Sequence, residues 1–265
     1  MIRLHRGAEP PALAKARDGA GGELARVRVL ASPSSDDIDD KYRCVAEDLW
    51  RAQQFKCAYC EGQEQKKRND VEHFRPKARI DPCDGKAFIP GYWWLAWSWS
   101  NLLFSCRNCN QSPAKVDKFP IEAGSKRLVA EEEPPGAEMP LILDPYIDEP
   151  MNHLVFKRAR FGLRERWGPI PLTTRGKRTI EILLLDRDDL LDLYEKHVED
   201  HIRPGIDHLH EAIALGNPAM VQSAWRHVAR VTERGRPFSA LAYDALDALV
   251  PESLRQTWTL SLSRP

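Results

Sequence analysis

The chain has 265 residues, 42% of them hydrophobic, so it can bury one sizeable core and a smaller second one. Its 39 Lys and Arg residues equal its 39 Asp and Glu residues, which excludes a global positive field as the means of attracting nucleic acid. Any site for a polyanion must therefore be a local basic patch.

Residues 1–35 are rich in Ala, Gly, Arg and Pro, and we expect an N-terminal arm or short helix that packs on the rest of the chain. The opening sequence MIRLHRGAEPPALAKARDGAGG interrupts every apolar stretch with a charge, Pro or Gly, so it contains no hydrophobic region typical of a signal peptide. This pattern predicts a cytoplasmic protein.

Residues 36–145 form a second segment, which contains both C-x-x-C pairs and a tryptophan cluster. The stretch DDIDDKYRCVAEDLWRAQQ places apolar residues at helical spacing after acidic capping residues, which predicts a helix. Residues 87–106 carry no formal charge, and their number matches a membrane span. They include Pro90, Gly91 and several Ser and Asn residues, so we predict a buried core segment and no membrane contact.

The acidic, proline-rich run EEEPPGAEMP disfavours regular structure and predicts a surface loop or domain seam. Beyond it, residues 146–265 are predicted to be mainly helical, with Asn217 as a cap in front of Pro218. We expect this region to dock a partner or position a substrate, because the stretch from Asp188 to Asp207 is acidic on a helix whose other face is apolar.

The six cysteines include two C-x-x-C pairs, Cys57 with Cys60 and Cys106 with Cys109. Two such pairs on tight turns supply the four thiolates of a tetrahedral structural zinc site. The interval of 45 residues between the pairs is longer than in a simple zinc ribbon. The zinc is therefore predicted to hold together the two ends of a larger unit.

Three other groups of residues have simpler interpretations. Cys44 and Cys83 are expected to be small buried hydrophobes. His197 and His201 have helical spacing, but the glutamate of HVEDH lies one position later than in H-E-x-x-H, so only a helix face is predicted. An aromatic cluster is expected to pack in the core, with stacking on unpaired bases as the alternative. The cluster contains Tyr92, Trp93, Trp94, Trp97 and Trp99.

The segment DVEHFRPK places His73 directly behind Glu72. A lone histidine is more often a hydrogen-bonded residue at a strand end than a catalytic base. Glu72 by itself is compatible with a surface acid paired with Arg75 or Lys77. The position of the segment between the two cysteine pairs changes this balance in favour of a catalytic site.

The order CAYC, VEHFRPK, NLLFSCRNCN and a nearby Lys115 resembles the pattern of the HNH endonuclease superfamily. In that pattern a C-x-x-C pair precedes an acidic residue with His, then Asn-Leu, then a second C-x-x-C pair with Asn or His. The resemblance covers residues 55–120. It implies an α+β fold in which residues 36–145 contain a ββα-metal (His-Me finger) HNH core stapled by the four-cysteine zinc site.

A closer resemblance is to the HNH proteins of Septu-type and retron-associated anti-phage defence systems. It is carried by CAYCE, EHFRPK, YWWLAWSWSNLLFSCRNCN and DKFP, and the later LILDPYIDEPMNHLVF is similar as well. In that group the nuclease subunit accompanies an ABC-type ATPase. The resemblance implies a metal-dependent DNA endonuclease with an ATPase partner. The alternatives are a standalone restriction or nicking nuclease and an inactive zinc-organised adaptor for nucleic acid or protein.

Carried over residue by residue, the resemblance implies that His73 is the general base and that Asn101 holds it or its loop. It implies that Glu72 and Asn110 bind a catalytic Mg²⁺ or Mn²⁺. Asn110 stands where many members have His, which could weaken metal binding or change the choice of metal. Lys115 lies five residues after Asn110, further than the common interval, which leaves its role open.

Charge is distributed unevenly around these motifs. Residues 51–127 contain 14 Lys or Arg and 8 Asp or Glu, whereas residues 130–152 contain seven acids and no base. A second basic stretch, FKRARFGLRERWG, follows. Contacts from such cations to phosphates position a nucleic acid without specifying its sequence. The predicted nucleic-acid-binding residues are Arg75, Lys77, Arg107, Lys115 and Lys118.

Overall fold

The computed structural model describes the backbone of all 265 residues and every side chain except that of Arg68. The described chain is a mixed α+β structure with two small antiparallel sheets. Its α-helices are α1 (Pro11–Asp18), α2 (Glu23–Arg28), α3 (Ala46–Ala52), α4 (Arg107–Asn110), α5 (Thr174–Leu183), α6 (Asp188–His197), α7 (Arg203–Ala214), α8 (Pro218–Ala229), α9 (Ser239–Leu249) and α10 (Glu252–Thr257).

The first sheet pairs strand β1 (Asp70–His73) with strand β2 (Leu102–Ser105). His73 lies opposite Leu102, and Asp70 lies opposite Ser105. All four residues of β2 are buried, which explains why the sequence LLFS shows little polar alternation. The chain then passes through Cys106 directly into α4. The two strands and the helix thus follow one another along the chain in the order β1, β2, α4.

The N-terminal arm, residues 1–35, packs on this hairpin through Arg6. The Arg6 guanidinium donates to the backbone oxygen of Leu102 at 2.7 Å and lies 3.7 Å from the centroid of the Tyr146 ring. Met1 is buried as well. The arm contains α1 and α2 and is joined to the core by both polar and apolar contacts.

The predicted helix before the first cysteine pair is divided into two parts. Residues Asp40–Val45 form a 3-10 helix, whose first turn is capped by the Asp39 side chain, and α3 continues directly from it. Val45 and Leu49 are fully buried, so the apolar positions of the predicted pattern do face the core.

The aromatic cluster is buried, as predicted. Each of its five residues is less than 9% exposed: Tyr92, Trp93, Trp94, Trp97 and Trp99. The prediction for Cys44 and Cys83 is wrong, because both are exposed. Cys44 lies on the outer side of the 3-10 helix. Cys83 lies in a turn, and its own backbone nitrogen donates to the Asp81 side chain. Across the described chain, none of the helices combines the length and apolar character needed to cross a bilayer.

Residues 146–265 are mainly helical but begin with a β-hairpin that the sequence pattern did not indicate. The hairpin consists of β3 (Leu154–Phe161) and β4 (Arg164–Pro171). Its turn contains Gly162 with a φ of 61°, a conformation that glycine adopts without strain. Asn217 caps α8 as predicted, and its side chain accepts hydrogen bonds from the backbone nitrogens of Ala219 and Met220.

The regions on either side of residue 145 share one hydrophobic core. The buried cluster includes Leu13 of the arm, Phe104 of β2, Leu143, and Leu209 and Leu246 of the C-terminal helices. The C-terminal helices therefore form part of the packing that supports the β1–β2 hairpin.

Candidate metal centre and active site

Four cysteine side chains meet where the two C-x-x-C turns come together. The sulfur atoms of Cys57, Cys60, Cys106 and Cys109 all lie within 4.8 Å of one another, and all four residues are buried. Metal–sulfur bonds of about 2.3 Å in a tetrahedron place sulfur atoms about 3.8 Å apart. The Sγ atoms of Cys60 and Cys106 are 3.9 Å apart. The four thiols therefore fit a metal ion such as zinc.

Two backbone groups favour the thiolate form of Cys57. The backbone nitrogens of Tyr59 and Cys106 both donate to Sγ of Cys57 at 3.4 Å. Hydrogen bonds to the charged form of an acid stabilise that form, which is the one that binds a metal.

Arg187 belongs to this centre and was missed in the sequence. Its Nη1 donates to Sγ of Cys109 at 3.6 Å, and its guanidinium also pairs with Asp189. Burial lowers the pKa of Arg187, but the Cys109 and Cys60 thiolates and Asp189 outweigh this effect and raise it. The cation offsets part of the negative charge of four thiolates. No local motif connects Arg187 with Cys109, because 78 positions separate them.

A buried ion pair flanks the first cysteine turn. Nζ of Lys56 lies 3.4 Å from Oε2 of Glu61 and donates to the backbone oxygen of Arg236 at 3.0 Å. The Ser239 hydroxyl donates to Glu61 at 2.7 Å. These bonds join the cysteine turn to the start of α9, so the C-terminal region helps to hold the metal centre in place.

His73, the last residue of β1, is 6% exposed. Its Nε2 lies 2.9 Å from the backbone oxygen of Ala96. A carbonyl oxygen can only accept, so Nε2 carries the proton and the neutral ring has its lone pair on Nδ1. Burial, helped by the Lys77 cation, lowers the pKa of His73 to about 3. The imidazole is therefore neutral at neutral pH. Tyr42 packs edge-on against the ring, with centroids 4.5 Å apart.

Asn101 holds the loop after His73. Its Oδ1 accepts a hydrogen bond from the backbone nitrogen of Arg75 at 2.8 Å, and its Nδ2 donates to the backbone oxygens of Arg75 and Leu95. Leu95 precedes Ala96, the residue that orients the His73 ring. The Asn101 side chain therefore binds the loop at Arg75 and the backbone at Leu95.

Glu72 is buried and forms an ion pair with Lys115, whose Nζ also donates to the backbone oxygen of His73 at 2.9 Å. Burial raises the pKa of Glu72, although Lys115 opposes this effect. The partner of Glu72 is thus neither Arg75 nor Lys77, the two pairings considered from the sequence. Lys115, whose distance from Asn110 in the sequence is unusual for the motif, therefore pairs with the acidic residue of the motif, Glu72.

Asn110 contacts Asp70, a residue that was not among the predicted site residues. Nδ2 of Asn110 donates to Oδ2 of Asp70 at 3.1 Å, and Gln111 donates to the same oxygen at 3.0 Å. Asp70 and Glu72 are two positions apart on β1, so their side chains leave the same face of the strand. The alternation of acidic residues in DVEH could have indicated Asp70 as a further site residue. Carboxylate and amide oxygens are the donors that Mg²⁺ prefers.

A cavity of about 580 Å³ brings together three of the four predicted active-site residues. Glu72, His73 and Asn110 all line it, and Asp70 does so as well. Asn101 is not among the lining residues, and it holds the loop at Arg75 by hydrogen bonds. Three cations also line the cavity: Arg43, Lys77 and Arg79.

Two of the five predicted nucleic-acid-binding cations are buried. Arg75 is 4% exposed, and its Nε donates to Glu138 at 2.7 Å. Lys115 is fully buried. Neither side chain is exposed to contact a phosphate, because each is buried against a carboxylate. Glu138 belongs to the predicted surface loop, which contains no helix or strand but does place this side chain inside. The other three cations are half-buried or exposed: Lys77, Arg107 and Lys118.

The chain is 40% identical to "Septu protein PtuB" of Bacillus mycoides (strain KBAB4) over 149 residues, which are 55% of this chain and 48% of that protein. It is 30% identical to "Septu protein PtuB" of Bacillus thuringiensis over 138 residues, 51% of this chain and 38% of that protein. It is 24% identical to "Septu protein PtuA" of Bacillus mycoides (strain KBAB4) over 139 residues, 52% of this chain and 18% of that protein.

The chain spans about half or less of the length of the curated relatives it matches. No protein-family model and no solved structure matches it. Over about half of its residues, this chain is therefore similar to the Septu proteins, with PtuB of Bacillus mycoides as a relative at 40% identity.

Proposed function

We propose that this protein is a metal-dependent endonuclease of the HNH type that hydrolyses phosphodiester bonds in DNA. The observation that carries the proposal is the state of His73, a neutral imidazole whose Nε2 is held by the Ala96 carbonyl and whose lone pair is on Nδ1. A general base requires this arrangement, because one ring nitrogen must be held while the other accepts a proton. Glu72 and Asn110 line the same cavity.

In the proposed reaction, Nδ1 of His73 takes a proton from a water molecule while the water oxygen attacks phosphorus. The bond between phosphorus and the 3′ oxygen breaks, and that oxygen gains a proton from solvent and leaves as a 3′-hydroxyl. The phosphate stays attached to the 5′ oxygen of the next nucleotide, so the products have a 5′-phosphate and a 3′-hydroxyl. The HNH resemblance implies this polarity of the products.

A pKa of about 3 makes His73 a weak base in the free protein. Part of this lowering comes from the Lys77 cation. A substrate phosphate next to Lys77 offsets that positive charge, so binding of the substrate raises the pKa of His73 towards the range in which a base is effective.

Glu72 and Asn110 would hold the catalytic Mg²⁺ or Mn²⁺, with Asp70 as a further oxygen donor on the same face of β1. Such an ion would neutralise charge on the non-bridging and leaving oxygens of the phosphodiester. The four cysteines would hold the structural zinc. Phosphates on either side of the cleaved bond would contact those three of the five predicted cations that are not buried, Lys77, Arg107 and Lys118.

We further propose that the protein is the effector nuclease of a Septu-type anti-phage defence system and acts with an ABC-type ATPase. The similarity to both PtuB and PtuA supports this proposal. The exposed side of α6 offers a polar surface for the ATPase, with Asp188 at 88% and Asp192 at 62% side-chain exposure and Arg166 paired with both. Co-expression should then yield a stable complex. A protein that purifies alone and degrades DNA in cells without restraint would contradict the proposal of an ATPase partner.

One observation favours a second candidate function. The Lys115 ammonium already neutralises Glu72 in a buried pair. A protein in which this pair is permanent would bind no catalytic ion and would serve as a zinc-organised adaptor for nucleic acid or protein. A standalone restriction or nicking nuclease remains the other alternative, and it differs from the main proposal in needing no ATPase.

A plasmid-nicking assay with and without Mg²⁺ or Mn²⁺ tests the proposal. The wild type should nick DNA only when the metal is present, and His73→Ala should lower the rate by at least about 100-fold, the usual contribution of a general base. His227→Ala, at an exposed position on α8, is the matched control and should nick like the wild type. A wild-type protein that binds zinc and is folded but never nicks DNA would favour the adaptor.

A further inference from the structure

Two histidines of the C-terminal region line a second cavity that does not include His73. His197 is the last residue of α6, and His201 lies in the π-helical turn Val198–Ile202 between α6 and α7. Their ring centroids are 5.0 Å apart. Both side chains line a cavity of about 430 Å³. The spacing in HVEDH predicted only a helix face, but both rings line one open cavity.

His197 has a ring nitrogen without a partner. Its Nε2 is buried and has no hydrogen-bond acceptor or donor among the described residues. Buried polar atoms in native proteins nearly always have a partner, so such an atom indicates a bound water or ion. Phe238 packs edge-on against the same ring, with centroids 5.3 Å apart. Phe238 and His201 thus contact the His197 ring and fix its position.

The electrostatics and the backbone both suit a ligand at this place. Burial, helped by His201, lowers the pKa of His197 to about 4, so the ring is neutral at neutral pH and has a lone pair to donate. A π-helical turn is rare and occurs often at functional sites, since it changes the direction of side chains within a continuous helix. A metalloprotease site is excluded, because Val198 follows His197 where H-E-x-x-H requires glutamate.

We propose that His197 and His201 together bind a divalent transition-metal ion of the Zn²⁺, Ni²⁺ and Co²⁺ class, at a site separate from the four cysteines. Imidazole nitrogens suit these ions, and two histidines four positions apart on a helix can bind a single ion. The carboxylates of Glu64 and Asp200 line the same cavity but already have partners, Asn69 and Lys196, so water would complete the coordination. The close cluster of four sulfurs includes neither histidine.

The proposed site shares no residue with the His73 cavity, so it does not depend on nuclease activity. The cavity also reaches Cys60 and Cys106. An ion bound to the two histidines would therefore fix the junction of α6 and α7 beside the cysteine centre. Hydrophobic packing already holds α6 in place through Leu190, Leu191 and Tyr194, so the ion adds to this junction without being required for folding.

Titration of Ni²⁺ into the zinc-loaded, full-length protein tests the proposal by calorimetry, with the zinc content measured before and after. The wild type should bind one Ni²⁺ and keep its zinc. His201→Gln, at an exposed position, should weaken Ni²⁺ binding by at least about tenfold, because one of two imidazole ligands is lost. His208→Gln, at an exposed position on α7, is the matched control and should bind like the wild type.

Two results would overturn the proposal: Ni²⁺ that binds only by displacing zinc, or a His201→Gln protein that binds Ni²⁺ as tightly as the wild type. His197→Gln should show the same loss as His201→Gln, with the thermal midpoint measured alongside. If the His197→Gln protein does not fold, His201→Gln alone decides the outcome, since its side chain lies at the surface.

Discussion

The cysteine centre and His73 lie at opposite ends of the β1–β2 strand pair, and the two sites are built differently. Cys106 follows the end of β2 that pairs with Asp70, whereas His73 pairs with the other end. Four buried cysteine sulfurs lie close enough together at the cysteine centre to hold a metal ion such as zinc. In the cavity, the chain supplies the partners itself: Ala96 for His73 and Lys115 for Glu72.

This difference predicts how each site responds to substitution. Loss of a metal ligand should affect folding, because the metal joins segments that are distant in the chain. Loss of a residue in the cavity should mainly affect chemistry, because the fold holds these residues by hydrogen bonds and does not depend on all of them. Lys115 is the exception, since it is fully buried and carries a charge.

Cys106→Ser should have the largest effect. A serine hydroxyl does not replace a thiolate as a zinc ligand, so the protein should lose its zinc and its cooperative unfolding transition. Elemental analysis and a thermal melt measure both. Cys83→Ser is the matched control, because Cys83 is exposed, and it should keep the zinc content and thermal midpoint of the wild type.

Lys115→Met should destabilise the protein by about 3–5 kcal/mol, since it leaves the Glu72 carboxylate buried without its cation. Urea unfolding measures the change. The double variant Lys115→Met with Glu72→Gln should recover part of the loss, because no buried charge remains. Lys118→Met, at a half-buried position, is the control. An unchanged midpoint for Lys115→Met would show that Glu72 does not depend on Lys115 as its partner.

His73→Ala sharpens the comparison most directly. It removes one hydrogen bond, to Ala96, so the free energy of unfolding should fall by only about 1 kcal/mol beyond the loss of packing. The zinc content should stay the same, while nicking should fall by at least about 100-fold. A folded His73→Ala protein that nicks DNA at the wild-type rate would remove His73 from catalysis.

Asn110→Ala should keep the protein folded and lower nicking through weaker binding of the catalytic ion. We expect high Mg²⁺ or Mn²⁺ to restore part of the rate, because mass action compensates for a lost ligand. Nicking rates across a metal titration measure this. Gln111→Ala, which removes the other hydrogen bond to Asp70, is the matched control and should need less added metal. A rate that no metal concentration improves would argue against Asn110 as a ligand.

Arg187→Met should have the smallest effect. It removes the cation that contacts Cys109 but leaves all four sulfurs, so zinc affinity should fall by about 10–100-fold while the zinc-loaded protein stays folded. Competition with a chelator measures the affinity. Arg226→Met, at an exposed position on α8, is the control. An unchanged affinity would show that Arg187 does not stabilise the thiolates.

Features that depend on neighbouring residues could be predicted from the sequence. Each C-x-x-C turn brings two sulfurs together within four residues, whatever the rest of the chain does. The cap at Asn217 and the burial of the aromatic cluster follow from equally local patterns. The β3–β4 hairpin was missed because its charged strands lack the clear apolar alternation of a half-buried strand.

The partners of the charged groups were decided only by the tertiary structure. Lys115 reaches Glu72 across 43 positions, and Arg75 reaches Glu138 across 63. Both cations were predicted to contact nucleic acid, since a basic residue in a sequence is exposed by default. Patterns in a sequence report contacts within a helical turn or along a strand, whereas the pairing of distant charges depends on the path of the chain between them. That path places a buried carboxylate within reach of each cation.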